Sequence, residues 1–120
     1  MDIKLSEQMS ALFENAPIGI GISSLEGQIL AANEALLAMT GYTEDEFVGR
    51  NVIEVYADPG QRTVLLDRLS ESEAVKDFGA KLKRKDGSSF YASLNVSQLH
   101  LDGQEVLLAV EMLAGNLSGA

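Results

Sequence analysis

Apolar residues fall at Leu5, Met9, Leu12, Phe13 and Ala16, spacings that share one face of a helix, and Pro17 ends it. The period then drops to two. Ile18, Ile20 and Ile22 alternate with Gly19 and Gly21 in a strand expected over about 18–24, "LEGQ" marks a turn, and residues 29–32 pair back as a second strand. Glycine weakens a strand, because it costs backbone entropy and packs nothing. A strand with one branched and one bare face therefore implies that something approaches the bare side or needs room beside it.

Asn33 is placed to cap a short helix, "EALLAMT", closed by Gly41. "TEDE" at 43–46 is a capping box that starts another short helix, where Glu44, Asp45 and Glu46 suit the helix N-terminus. Asp58 followed by Pro59 opens a further helix, with Val64, Leu65 and Leu69 as its expected buried stripe. Three strands follow, at about 75–84, 89–99 and 105–113, with Asp86-Gly87 and Asp102-Gly103 as hairpin turns. After Gly115 the tail offers only Leu117 to a core and is expected to fray. The pattern predicts an α+β fold: a five-stranded antiparallel sheet, short helices covering one face, and a flanking N-terminal helix. The expected division is 1–15 for that helix, 16–114 for the core domain and 115–120 for the tail.

A chain of 120 residues suits one domain. It has no apolar run near the roughly 20 residues of a membrane span, and its first residues do not read as a signal peptide. Zero Cys removes disulfides, thiolate nucleophiles and Cys-ligated metals, and fits a cytoplasmic setting. A net charge of −9 argues against nucleic acid and anionic membranes as partners. The basic cluster Lys81, Lys83, Arg84 and Lys85 reads as a solvated strand end.

The order of elements, with "LFENAPIGI", "LEGQIL", "GYTEDEFVGRNV", "RKDGSSF" and "VLLAVEML", resembles the PAS sensory domain family from about Leu12 to Leu113. The Asp-Ile-Thr ending of that family is replaced by "MLAGNLSGA". The resemblance implies a sensor and dimerisation module attached to an output domain such as a kinase, cyclase or transcription regulator, often in bacterial two-component systems. "GRNV" at 49–52 is similar to the "GRNC" of the light-oxygen-voltage subfamily, with Val52 where the photoactive thiol belongs. A flavin photoadduct is thereby excluded on chemical grounds, and only Asn51 survives from that motif. The positions that carry flavin-reading amides in that subfamily fall on Leu82, Ala92 and Glu111. FMN would lose its polar partners there.

Haem needs an axial ligand, and the one His, His100, sits beside a hairpin turn and reads as exposed. Zinc is equally poorly served. Gly19 to Ser24 lacks the third glycine of a dinucleotide loop and runs into a strand rather than a helix. No catalytic constellation accompanies Ser23, Ser24, Ser88 or Ser89, so no enzymatic activity is expected.

Strand parity sorts the faces. With Leu82 and Ala92 turned to the helices, Phe78, Ala80, Phe90, Leu94 and Val96 join them, as do Leu107, Ala109 and Glu111. By the resemblance, Gly21 and Ser23 face the same interior, leaving space for a ligand or a tightly seated helix. Ile18, Ile20 and Ile22 then face outward with Val106, Leu108 and Val110, as an apolar patch to be covered by the Leu5, Met9, Leu12, Phe13 helix of the same chain or of a dimer mate. The alternative, isoleucines facing the core, stays open on sequence alone.

Two readings of function follow. One is a sensor with a small, mostly apolar pocket, drawn from Gly21, Asn51, Val52, Leu82 and Ala92 with Ser23 and Glu111 as polar handles, relaying its state through a homodimer. The other is a ligand-free dimerisation and interaction module. A flavin (FAD) redox sensor is a further alternative. Glu111 is expected to lose water, raising its pKa, or else to reach solvent at the strand end.

Overall fold

The computed structural model describes residues 6–114. Leu5 and the 115–120 tail lie outside them, and so do the expectations that Leu5 joins an apolar face and that the tail frays. Helix α1 (Glu7–Asn15) precedes strands β1 (Gly19–Ser24) and β2 (Ile29–Ala32). Helices α2 (Glu34–Thr40) and α3 (Glu44–Phe47), a 3-10 turn at Val52–Val55 and helix α4 (Pro59–Leu69) follow. Strands β3 (Ala74–Lys83), β4 (Ser89–Leu101) and β5 (Gln104–Leu113) complete the chain. The five strands form one antiparallel sheet in the order β2-β1-β5-β4-β3, which sets the β1–β2 hairpin beside the β3-β4-β5 meander through the β1–β5 pairing.

Local chemistry fixes most boundaries. Asn33 caps α2, and Gly41, at φ 82°, ends it while its amide donates to the Leu37 carbonyl. Thr43 and Glu46 form the capping box of α3. The Asp58 side chain accepts from the Gly60 amide, ahead of Pro59 at the first position of α4. At the β4–β5 turn Asp102 and Gly103 both take positive φ, 48° and 79°, the twist a two-residue hairpin requires. That tight turn lets the ladder run to Leu101 opposite Gln104, so β4 is longer than its hydrophobic alternation suggests. β1 starts one residue late, at Gly19, because the Ile18 carbonyl is taken by the Asn33 side chain.

The sheet buries both faces unequally. Toward α2, α3 and α4 lies the main core, with Ile29, Leu36, Phe47, Val55, Leu65, Ala80, Leu82, Ala92 and Leu94. On the other face Ile22, Leu30 and Val106 form a smaller cluster under Phe13 of α1. The stripe expected on α4 needs one correction: Val64 is exposed, and Arg62 takes the buried side with Leu65 and Leu69. Spacings of three and seven residues put Arg62 on the face of Leu65 and Leu69, whereas Val64, two residues on and about 200° around the helix, turns away.

Candidate functional site

The bare face of β1 meets α2. A Cβ on Gly21 would stand 2.9 Å from Leu36 Cδ2, and one on Gly19 would stand 3.1 Å from Met39 Sδ and 3.3 Å from the Leu36 Cα. The glycines thus seat a helix. Gly21 also borders an interior cavity, so both uses of the bare face occur.

That cavity, about 50 Å³, lies between the sheet and the helices. Its walls are largely apolar: Leu36, Phe47, Val52, Leu65, Leu82 and Leu94 among them. Its polar groups are Ser23, Tyr56, Arg62 and Glu111. At ~10–15 Å³ of such space per water, it has room for on the order of four waters or a molecule of a few heavy atoms. Flavin and haem do not fit it in this conformation, since pockets for ligands of even drug size start near ~300 Å³.

Of the residues expected at the site, Gly21, Ser23, Val52, Leu82 and Glu111 border this cavity together. Two do not. Asn51 is exposed, and its Oδ1 accepts from the Ile53 amide at 2.9 Å, capping the 3-10 turn that begins at Val52. Ala92 faces inward and is fully buried in the core, but the β4 wall is made farther along by Leu94 and Val96. Sequence reasoning missed Tyr56 and Arg62. The signal for Arg62 was its spacing from Leu65 and Leu69, a charged residue on an apolar helical stripe.

Glu111 comes from β5, opposite Gly19 of β1 and Leu94 of β4. It is 9% exposed and pairs with no cation and no hydrogen-bond donor among the described residues. Burial alone pushes its carboxyl up to about 7. Tyr56 is buried nearby, and its hydroxyl is raised chiefly by desolvation; the adjacent Arg62 guanidinium counters part of the rise, and the Glu111 charge adds slightly to it. Arg62 is 8% exposed and forms no ion pair with an acid among the described residues. One cavity thus holds a carboxyl and a guanidinium that do not neutralise each other.

On the opposite face, Ile20, Ile22, Leu99, Leu101 and Leu108 form an apolar groove with Met9, Leu12 and Phe13 of α1. Ile18 does not border it, since it precedes the strand and its carbonyl is bound to Asn33. Leu12 is 75% exposed, so α1 covers this face only in part. Elsewhere the basic cluster is a solvated strand end, as expected. Lys85 pairs with Glu46 of α3 and, with the Thr43 amide, holds the Glu46 carboxyl down at about 2. His100 is exposed and bonded to Glu105 at 2.8 Å. Among the described residues there is no His, Asp and Glu cluster suited to a metal, and no helix is long and apolar enough to cross a membrane.

Comparison with known proteins gives this architecture a family. The PAS domain family matches residues 17–113. The sensor histidine kinase TmoS of Ectopseudomonas mendocina is 31% identical over 108 residues, 83% of this chain and 11% of that kinase. The chain thus spans about a tenth of the length of this relative. The crystal structure of the PAS domain of an HTR-like protein from Haloarcula marismortui superposes with a TM-score of 0.78 at 29% identity, covering 89% of each chain. A PAS domain from a two-component sensor histidine kinase superposes at 0.79 with 15% identity, over 90% of this chain and 95% of that one, a likeness of fold. The chain belongs to the PAS domain family.

Proposed function

We propose that this chain is the sensory module of a longer signalling protein, that it takes a small, mostly apolar molecule into the cavity beneath the sheet, and that it relays occupancy through a homodimer to an output domain, with no catalysis of its own. The observation that carries this reading is Glu111, a buried carboxyl that borders the cavity and has no partner among the described residues. An unpaired buried acid costs stability, and a ligand or ordered water that satisfies it recovers part of that cost. The likeness to a sensor histidine kinase supports a kinase as the output.

Strand β5 offers the relay. Leu107, Ala109 and Glu111 border the cavity, while Leu108 between them borders the outer groove with Met9, Leu12 and Phe13. A shift of β5 that accommodates a ligand on one face therefore moves the seat of α1 on the other. A second reading, a ligand-free dimerisation module, is favoured by that same exposed groove. Mass spectrometry of the purified protein under native and denaturing conditions separates them. A small molecule released on denaturation supports the sensor; a dimer free of any bound molecule, unmoved in stability by small-molecule probes, supports the scaffold.

A further inference from the structure

We propose that the cavity ligand is a short-chain monocarboxylate, held by its carboxylate at Arg62 and Tyr56 with its alkyl end against the apolar walls and beside Glu111; this rests on the sensor reading above and names its ligand class. Four observations converge on it. The first is the guanidinium itself. Arg62 is more than nine-tenths buried, borders the cavity and has no acid within ion-pair distance among the described residues. A buried cation calls for an anion, and the planar guanidinium fork matches a carboxylate in two parallel hydrogen bonds.

The second is the position of Tyr56. Its hydroxyl lies beside Arg62 in the same wall, where it accepts from the guanidinium; burial keeps it protonated, so its own proton is available to a carboxylate bound there. The third is size and polarity. About 50 Å³ walled largely by Leu36, Phe47, Val52, Leu65, Leu82 and Leu94 suits a carboxylate on two or three carbons. A phosphate would bring more charge than one guanidinium balances and no apolar part for those walls.

The fourth is Glu111. It borders the cavity yet does not pair with Arg62. The titratable or charged groups lining the cavity with it are Tyr56 and Arg62; its strand neighbours Gly19 and Leu94 are uncharged, and α2 faces the cavity with Leu36. A carboxylate ligand near an ionised Glu111 would be repelled. Burial already favours the neutral form, which donates a hydrogen bond instead. Binding of the anion then takes up a proton at Glu111. A zwitterionic ligand requires the reverse: Glu111 ionised and holding an ammonium group.

The test is thermal unfolding with sodium propionate, against sodium chloride at equal ionic strength and 1-propanol at equal concentration, at pH 6 and pH 8. Propionate is expected to raise the midpoint saturably beyond either control, with an apparent Kd that weakens up to tenfold per pH unit above about 7. Arg62→Met should abolish the effect. Arg62→Lys, which keeps the charge and removes the fork, should weaken it at least tenfold, and serves if the methionine variant does not fold. Glu111→Gln should retain propionate binding and lose its pH dependence. Stabilisation by 1-propanol alone overturns the ligand class and leaves the cavity as an apolar site. No stabilisation by either overturns the ligand class and the sensor reading together. Tighter binding at pH 8 than at pH 6, or propionate acting no better than chloride, also overturns the proposal.

Discussion

The Asn33 side-chain amide, fully buried, donates a 2.9 Å hydrogen bond to the Phe13 carbonyl at the end of α1. It donates a second to the Ile18 carbonyl, also at 2.9 Å, while its Oδ1 accepts from the Ile20 and Leu36 amides. One residue thus caps α2, holds the start of β1 and ties the flanking helix to the core. Asn33→Asp keeps the acceptor and loses both donations, leaving a buried carboxylate against two carbonyls. Destabilisation of about 3 kcal/mol or more is expected, with faster amide exchange in α1 than in β4 by hydrogen-exchange mass spectrometry. Unchanged protection in α1 would mean that the helix is held by other contacts.

Gly21→Val should cost roughly 1–3 kcal/mol, because its Cβ enters space held by Leu36 Cδ2 and a packed interior answers with strain. Gly21→Ala should cost less, since Leu36 yields at the end of a flexible side chain. Denaturant midpoints give the order. Equal stability of all three proteins would show that α2 does not sit on β1 as described.

The fold was legible because its signals are local. The Thr43 capping box, Asp58 before Pro59, the Asp102-Gly103 turn and the alternation in β3 to β5 each act within a few residues. The site was legible where the family resemblance set a facing and strand parity extended it, as for Gly21, Ser23, Leu82 and Glu111. Parity gives a face and no position along it, so Ala92 was placed on the right side and beyond the cavity. Asn51 was carried by resemblance alone, and the free amide of the 3-10 turn claims its side chain. Tyr56 and Arg62 reach the cavity from a loop and a short helix, whose approach to the sheet depends on packing across the chain.

Glu111→Gln should stabilise the protein most above neutral pH. The folded carboxyl, at about 7, lies above its unfolded value near 4.5, so the native state holds the extra proton between them. Stability is therefore undiminished below about pH 4.5, falls as pH rises toward 7, and bears the full penalty above it, roughly 3 kcal/mol at most. The variant should lack that slope in urea titrations across pH 5 to 8. Parallel curves would place Glu111 in solvent.

Leu108→Glu puts a charge in the outer groove beside Phe13 and Met9. If that groove is the dimer seam, multi-angle light scattering should give a dimer for the parent chain and a folded monomer for the variant. Removal of residues 1–14 should give monomers or aggregates. A dimer that survives both changes would place the interface elsewhere.

A carboxyl buried against a small interior cavity is read directly by carbon-13 NMR of the Glu111 side chain. The Glu111 carboxyl, assigned by its loss in Glu111→Gln, should titrate with a midpoint near 7, well above the exposed glutamates, and should move upward when propionate is added. A midpoint in the ordinary carboxylate range, unmoved by propionate, would contradict that burial.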